Sequence, residues 1–274
     1  MTDILCSYLM KILIVFLNFL APIGLIVQRD VPYALGDSHC ADIYKLPNSS
    51  GRPAIVYLYG GGWREGSKER AAFVAGTLAR RGYVVVVPEY RHFPRVGLPE
   101  ILTDHAGAIS WTLAHATELG GDSHRVIIAG SSSGAWGAAM LVLDPRWLEL
   151  YGFNPGDLAG MIGMAGPYMT SSLTDERDRE VFRGTGRDME PINHARAFHP
   201  PMLLLTGTAD RDVLPISTSV LAQRLGGSIG AVVSRFYTEL GHDEIIRSLI
   251  FPFSQYGSVA KDIESFIENL SKKQ

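Results

Sequence analysis

Cysteine is scarce in this chain: 274 residues carry two, Cys6 and Cys40. Two thiols so far apart build neither a disulfide framework nor the ligand spacing of a zinc site. Positive charge is also sparse. The formal net charge is −3 and no run of Lys or Arg occurs, so the sequence offers no electrostatic footprint for nucleic acid. Internal repeats, low-complexity tracts and linker-like stretches are missing, which argues against an array or a second domain. The glycine triplet Gly60-Gly61-Gly62 lacks the Lys-Ser/Thr ending of a phosphate loop and the spacing of a dinucleotide fingerprint. No cofactor and no metal is expected.

What the chain does have is one long hydrophobic run. From Ile4 to Val27 it is interrupted only by a few residues, notably Ser7, Lys11 and Asn18. Its dense part, from Ile12 on, would span about 24 Å as a helix at ~1.5 Å per residue. That is short of a ~30 Å hydrocarbon core unless the residues before Lys11 join it, with the lysine snorkelling. No A-x-A cleavage site follows, and Gln28-Arg29-Asp30-Val31-Pro32-Tyr33 begins the folded domain at once. Residues 1–28 are therefore expected to be an uncleaved membrane anchor, with 29–274 as one folded domain. The alternative is a signal segment whose removal leaves a secreted or periplasmic protein.

Beyond the run, apolar strand-like stretches alternate with helix-like ones, the sequence form of a mainly parallel sheet covered on both faces. Strands are expected at Ala54–Tyr59, Tyr83–Val87, Val126–Ala129, Met161–Ala165, Met202–Thr206 and Val232–Tyr237. Helices are expected over Ser67–Arg81, Leu98–Leu119 and about Tyr256–Leu270. Between Tyr168 and Phe198 the pattern breaks into polar residues, and 169–198 reads as a small cap over the strand ends.

Chemistry concentrates at strand ends. Gly130-Ser131-Ser132-Ser133-Gly134 reads G-x-S-x-G between an apolar strand and a small-residue helix, and a serine on such a turn has its hydroxyl exposed. Ser132 is the candidate nucleophile. It needs a base, and of eight histidines only His242 combines a loop after the last strand with a flanking glycine. The imidazole needs a carboxylate, and Asp210 and Asp212 both follow Met202–Thr206. Backbone N–H groups of Gly61, Gly62 and Ser133 are candidate donors to an oxyanion. Trp63, Trp136 and Tyr168 are candidates to line a substrate pocket.

Five stretches carry a family resemblance: Tyr59-Gly60-Gly61-Gly62-Trp63, Glu89-Tyr90-Arg91 with Pro94, Gly130 to Gly134, Gly207-Thr208-Ala209-Asp210 with Val213, and Gly241-His242. In that order they resemble the α/β-hydrolase carboxylesterases related to hormone-sensitive lipase and to bacterial feruloyl-esterase-like enzymes. The resemblance implies an α/β-hydrolase fold, a doubly wound mainly parallel sheet with helices on both faces. It selects Asp210 as the acid. It implies a carboxylic ester hydrolase acting on a small-molecule ester through a Ser-His-Asp triad and an acyl-enzyme. Tyr59 departs from the family, which usually has histidine there to order the loop. An arylformamidase-like amidase would use the same triad, and a catalytically silent, membrane-tethered binding protein is the reading outside the enzymes. Oligomeric state is not legible in the sequence.

Overall fold

Sheet strands in this protein are apolar at consecutive positions rather than alternate ones, because both faces of the sheet are covered. A computed structural model describes residues 15–195, 198–226, 231–250 and 258–270. Among them, eight strands form one sheet: β1 (Ile26–Pro32), β2 (Cys40–Lys45), β3 (Arg52–Leu58), β4 (Val84–Pro88), β5 (Gly121–Ser131), β6 (Gly160–Met164), β7 (Met202–Gly207) and β8 (Val232–Tyr237). Their spatial order is β1-β2-β4-β3-β5-β6-β7-β8, antiparallel at β1–β2–β4 and parallel elsewhere.

Helices α1 (Ala72–Ala79), α2 (Leu98–His115), α3 (Ser133–Leu143), α4 (Arg146–Glu149), α5 (Glu176–Val181), α6 (Ile216–Leu225), α7 (His242–Arg247) and α8 (Val259–Leu270) flank or follow the strands. Side chains alternate between two cores. Ile55, Tyr57, Val85 and Leu205 join α1 and α8 on one face. Val56, Leu58, Val86 and Leu204 join α2, α3 and α6 on the other. After β3 the chain crosses by α1 to β4 on one side, and after β5 it crosses by α3 to β6 on the other. The C-terminal ends of β3 and β5 therefore form the crevice where doubly wound sheets bind ligands. This is the α/β-hydrolase architecture.

The expected strands and helices occur with shifted ends, and residues 256–257 of the last expected helix lie outside the described residues. Helix α1 starts at Ala72 rather than Ser67 because Lys68 turns inward, where its Nζ meets Asp30, Asp42 and Glu69 at 2.8, 2.9 and 2.6 Å. The antiparallel pair β1–β2 was not anticipated. Asp42 at the centre of β2 breaks its apolar run, yet it is fully buried and paired with Arg29 and Lys68.

The boundary expected at residue 28 falls inside the fold. Ile26 and Val27 already pair with Lys45 and Tyr44. Ala21 is buried, and its carbonyl accepts from Arg80 Nη2 at 3.0 Å. Residues 15–20 are helical, with Val15, Phe16 and Phe19 exposed. No helix among the described residues is long and apolar enough to cross a membrane. Residues 1–14 of the expected span lie outside the described residues.

Candidate active site

Ser132 sits between β5 and α3 with φ 52° and ψ −123°, a left-handed conformation that costs a non-glycine residue on the order of 1–3 kcal/mol. The surroundings hold it there. Its N–H donates to Met164 O at 2.8 Å, and its carbonyl accepts from the N–H groups of Ala135 and Trp136. Gly134 is required by close approach, since a β-carbon there would overlap the Leu58 carbonyl and α3 could not lie on β3. The strain turns the Ser132 hydroxyl out of the sheet.

Ser132 Oγ lies 2.9 Å from His242 Nε2, and His242 Nδ1 lies 2.8 Å from Asp210 Oδ2. With Nδ1–H donating to the carboxylate, Nε2 is left as the acceptor for the serine hydroxyl. Asp210 is buried, and its other oxygen accepts the N–H groups of Asp212 and Val213 at 3.0 and 2.9 Å. That double anchor leaves Oδ2 aimed at the imidazole. Burial pushes the His242 pKa down, but the Asp210 hydrogen bond and the charges of Asp210, Asp212 and Asp243 outweigh it and hold the pKa above its usual value. Asp210, Asp212 and His242 also bring ligand-type atoms together. The hydrogen bonds already made by Asp210 and His242 account for that grouping without an ion.

Past β3 the backbone runs through Gly61 and Gly62 at φ 144° and 59°, conformations that favour glycine. Among the described residues, the N–H groups of Gly61, Gly62 and Ser133 donate to no protein acceptor. Three unspent donors thus border the nucleophile. Tyr59 supports this loop from below. Its hydroxyl donates to Glu89 Oε1 and lies 3.3 Å from His92 Nε2, while Glu89 Oε2 accepts the Lys68 N–H at 3.0 Å. Tyr90 stacks on the Tyr59 ring at 4.4 Å and donates its hydroxyl to Tyr59 O at 2.8 Å. Glu89 and His92 had no role assigned from sequence, although Glu89 lies in a stretch carrying the resemblance.

A cavity of about 740 Å³ opens over the serine. Its lining includes Gly60, Gly61, Gly62 and His242, the apolar Ala71, Phe73, Val74 and Ile246, and the charged Arg64, Asp175, Arg177, Asp178 and Asp212. Trp63, Trp136 and Tyr168 do not line it, which corrects the expectation for all three. They are buried. Trp63 lies edge-on to Phe182 at 5.0 Å and to Trp136 at 5.6 Å, and Trp136 Nε1 donates to Met189 O at 2.8 Å. Both tryptophans therefore tie the segment that carries Phe182 and Met189 to the C-terminal side of the sheet. Arg64 adds a 2.6 Å ion pair to Glu180 of the cap. Large apolar rings facing a helix–sheet junction gain more from full burial than from a place on a wet wall.

Residues 41–151, from β2 past the serine helix, match the BD-FAE family model. An isoprenylcysteine alpha-carbonyl methylesterase (ICME) of Arabidopsis thaliana is 26% identical over 211 residues, 68% of this chain and 49% of that protein. A probable carboxylic ester hydrolase, LipM of Mycobacterium tuberculosis, is 28% identical over 206 residues, 66% of this chain and 47% of that protein. The chain thus spans about half the length of the curated relatives it matches. Among solved structures, the propionate-bound thermophilic esterase Est2 of Thermogutta terrifontis superposes with a TM-score of 0.71 at 25% identity, covering 89% of this chain and 94% of that one.

Proposed function

We propose that this protein is a serine carboxylic ester hydrolase. The observation that carries the reading is the series Ser132 Oγ–His242 Nε2–Asp210 Oδ2, at 2.9 and 2.8 Å, beside three unspent N–H donors. In the first step Ser132 Oγ attacks the ester carbonyl while its proton passes to His242 Nε2. Asp210 holds the tautomer and stabilises the imidazolium. The N–H groups of Gly61, Gly62 and Ser133 receive the oxyanion, each worth on the order of 10² to 10³ in rate where a donor of this kind is removed. His242 then protonates the leaving alcohol, and the acyl-enzyme is hydrolysed by a water that the same imidazole deprotonates. None of these steps calls for a cofactor.

The test uses the full chain in non-ionic detergent with p-nitrophenyl esters from acetate to palmitate. Turnover lost in Ser132→Ala is the expected result. Serine-dependent labelling by a fluorophosphonate without ester turnover would move the reading to an amidase, and no labelling at all would leave a silent binding protein.

Attachment to a membrane through the N-terminal segment remains part of the proposal. The apolar residues 4–14 and the exposed Val15, Phe16, Phe19 and Ile23 support it. Cleavage near residue 28 fits poorly, because it would remove buried Ala21 and the first pairs of β1. Carbonate-resistant sedimentation with membranes, lost on replacing Ile12–Leu17 by polar residues, is the corresponding measurement.

A further inference from the structure

Asp178 lies on the short cap helix α5, but its carboxylate stands over the loop that follows β3. A β-carbon built on Gly62 would lie 2.5 Å from Asp178 Oδ1 and 3.4 Å from its Cγ. The carboxylate therefore packs directly against a residue whose N–H is one of the three unspent donors. It is half-buried, lines the cavity, and accepts no hydrogen bond from the described residues. An unspent carboxylate in that place is costly by itself, since it opposes the negative charge that the same loop is built to receive.

Nearby cations are mostly committed elsewhere. Arg64 pairs with Glu180 at 2.6 Å, Arg70 with Glu65 at 3.2 Å, and Arg247 with Asp243 at 2.5 Å. Arg177, exposed and on the lining of the same cavity, makes no side-chain ion pair among the described residues. Burial, then Asp175, pushes the Asp178 pKa up, while Arg64, Arg177 and His242 oppose the rise. Asp178 and His242 line the same cavity.

We propose that Asp178 is a specificity-determining residue, selecting esters that carry a positive charge or a hydrogen-bond donor close to the scissile carbonyl and rejecting anionic ones. This rests on the serine-esterase reading. A substrate group that satisfies Asp178 offsets its charge just as the oxyanion forms, so the preference is expressed in the transition state. A site built around a waiting acceptor also penalises the analogue that leaves it unpaired.

The experiment compares kcat/KM for three thioacetates on the full chain: acetylthiocholine, its neutral isostere S-(3,3-dimethylbutyl) thioacetate, and S-acetyl-3-mercaptopropionate. Phosphonylation of Ser132 by matched neutral and thiocholine methylphosphonates reads the same preference independently of turnover. Wild type is expected to favour the cation over the isostere and the isostere over the anion. Unit charges about 6 Å apart, at an effective dielectric of about 40, correspond to roughly a tenfold effect, so Asp178→Asn is expected to lower the cation-to-isostere ratio about tenfold. Asp178→Glu should restore most of it. An unchanged ratio in Asp178→Asn, with Ser132-dependent reaction intact, overturns this inference alone. No reaction of wild type with any thioester or phosphonate overturns the esterase reading and this inference with it.

Discussion

Replacing Tyr59 by Phe removes one oxygen and tests how the loop after β3 is held. The hydroxyl is the donor to Glu89 Oε1 and sits 3.3 Å from His92, in a residue that is only 4% exposed. Its loss leaves Glu89 with one acceptor unpaired in a half-buried place. Such a loss costs about 1–3 kcal/mol, and partial exposure of Glu89 brings the expectation to about 1–2 kcal/mol. For a domain of this size that is a fall in melting temperature of about 2–8 °C. The Tyr90 stack and its hydrogen bond to Tyr59 O remain, so the loop should loosen rather than collapse. A misplaced oxyanion donor would cost at most about 10² to 10³ in kcat, and a loosened one is expected to cost about tenfold. The assays are calorimetry and steady-state kinetics on a short-chain ester, with Tyr59→His as the control that returns a ring nitrogen donor to this position. A fall in melting temperature with kcat unchanged would refute the claim that this hydroxyl positions the donors. Unchanged values of both would refute the bracing itself.

Activity should also report His242. The imidazole must be neutral to take the serine proton, and its pKa is held above 6.5, so the acidic limb of kcat/KM is expected above pH 6.5. Removing one of the charges that raises it, in Asp212→Asn, should move that limb to lower pH; a limb that stays put would remove Asp212 from the account. The stability sign is opposite to that of activity: a raised folded pKa adds stability that is fully present below the unfolded value and lost as pH rises through the folded one. The melting temperature contributed by this group should therefore fall across the same window in which activity appears. At the cap, Phe182→Ala removes the ring that meets Trp63 and Trp136 at 5.0 and 5.9 Å. A cost of about 2 kcal/mol is expected for this half-buried ring, with faster proteolysis between residues 170 and 195 and a raised KM. Unaltered proteolysis would mean that the cap is held by other contacts.

Strands buried on both faces were readable because every residue in them is apolar, as in Val84-Val85-Val86-Val87 and Leu203-Leu204-Leu205. The β1–β2 pair was not, because β2 can hold a buried Asp42 once Lys68 and Arg29 reach it, and those partners lie outside the strand in sequence. Ser132, Asp210 and His242 were legible because each follows a strand, and parallel strands deliver their C-terminal ends to one edge. The tryptophans misled for the converse reason. A ring's residue type says that it will bury area, not whether its neighbour is substrate or Phe182.

The alternation of strands and helices from β3 onward, the turn chemistry around Ser132 and the candidacy of Ser132 and His242 were determined by the sequence alone, since periodicity and local glycine placement are properties of the chain, whereas the choice of Asp210 over Asp212 rested on the family resemblance. Distances of 2.9 and 2.8 Å, the support of Tyr59 by Glu89, and the placement of Asp178 against Gly62 were decided only by the tertiary structure. Each of these joins residues from separate elements. Their meeting depends on how helices and cap pack across the sheet, and no spacing along the chain encodes that.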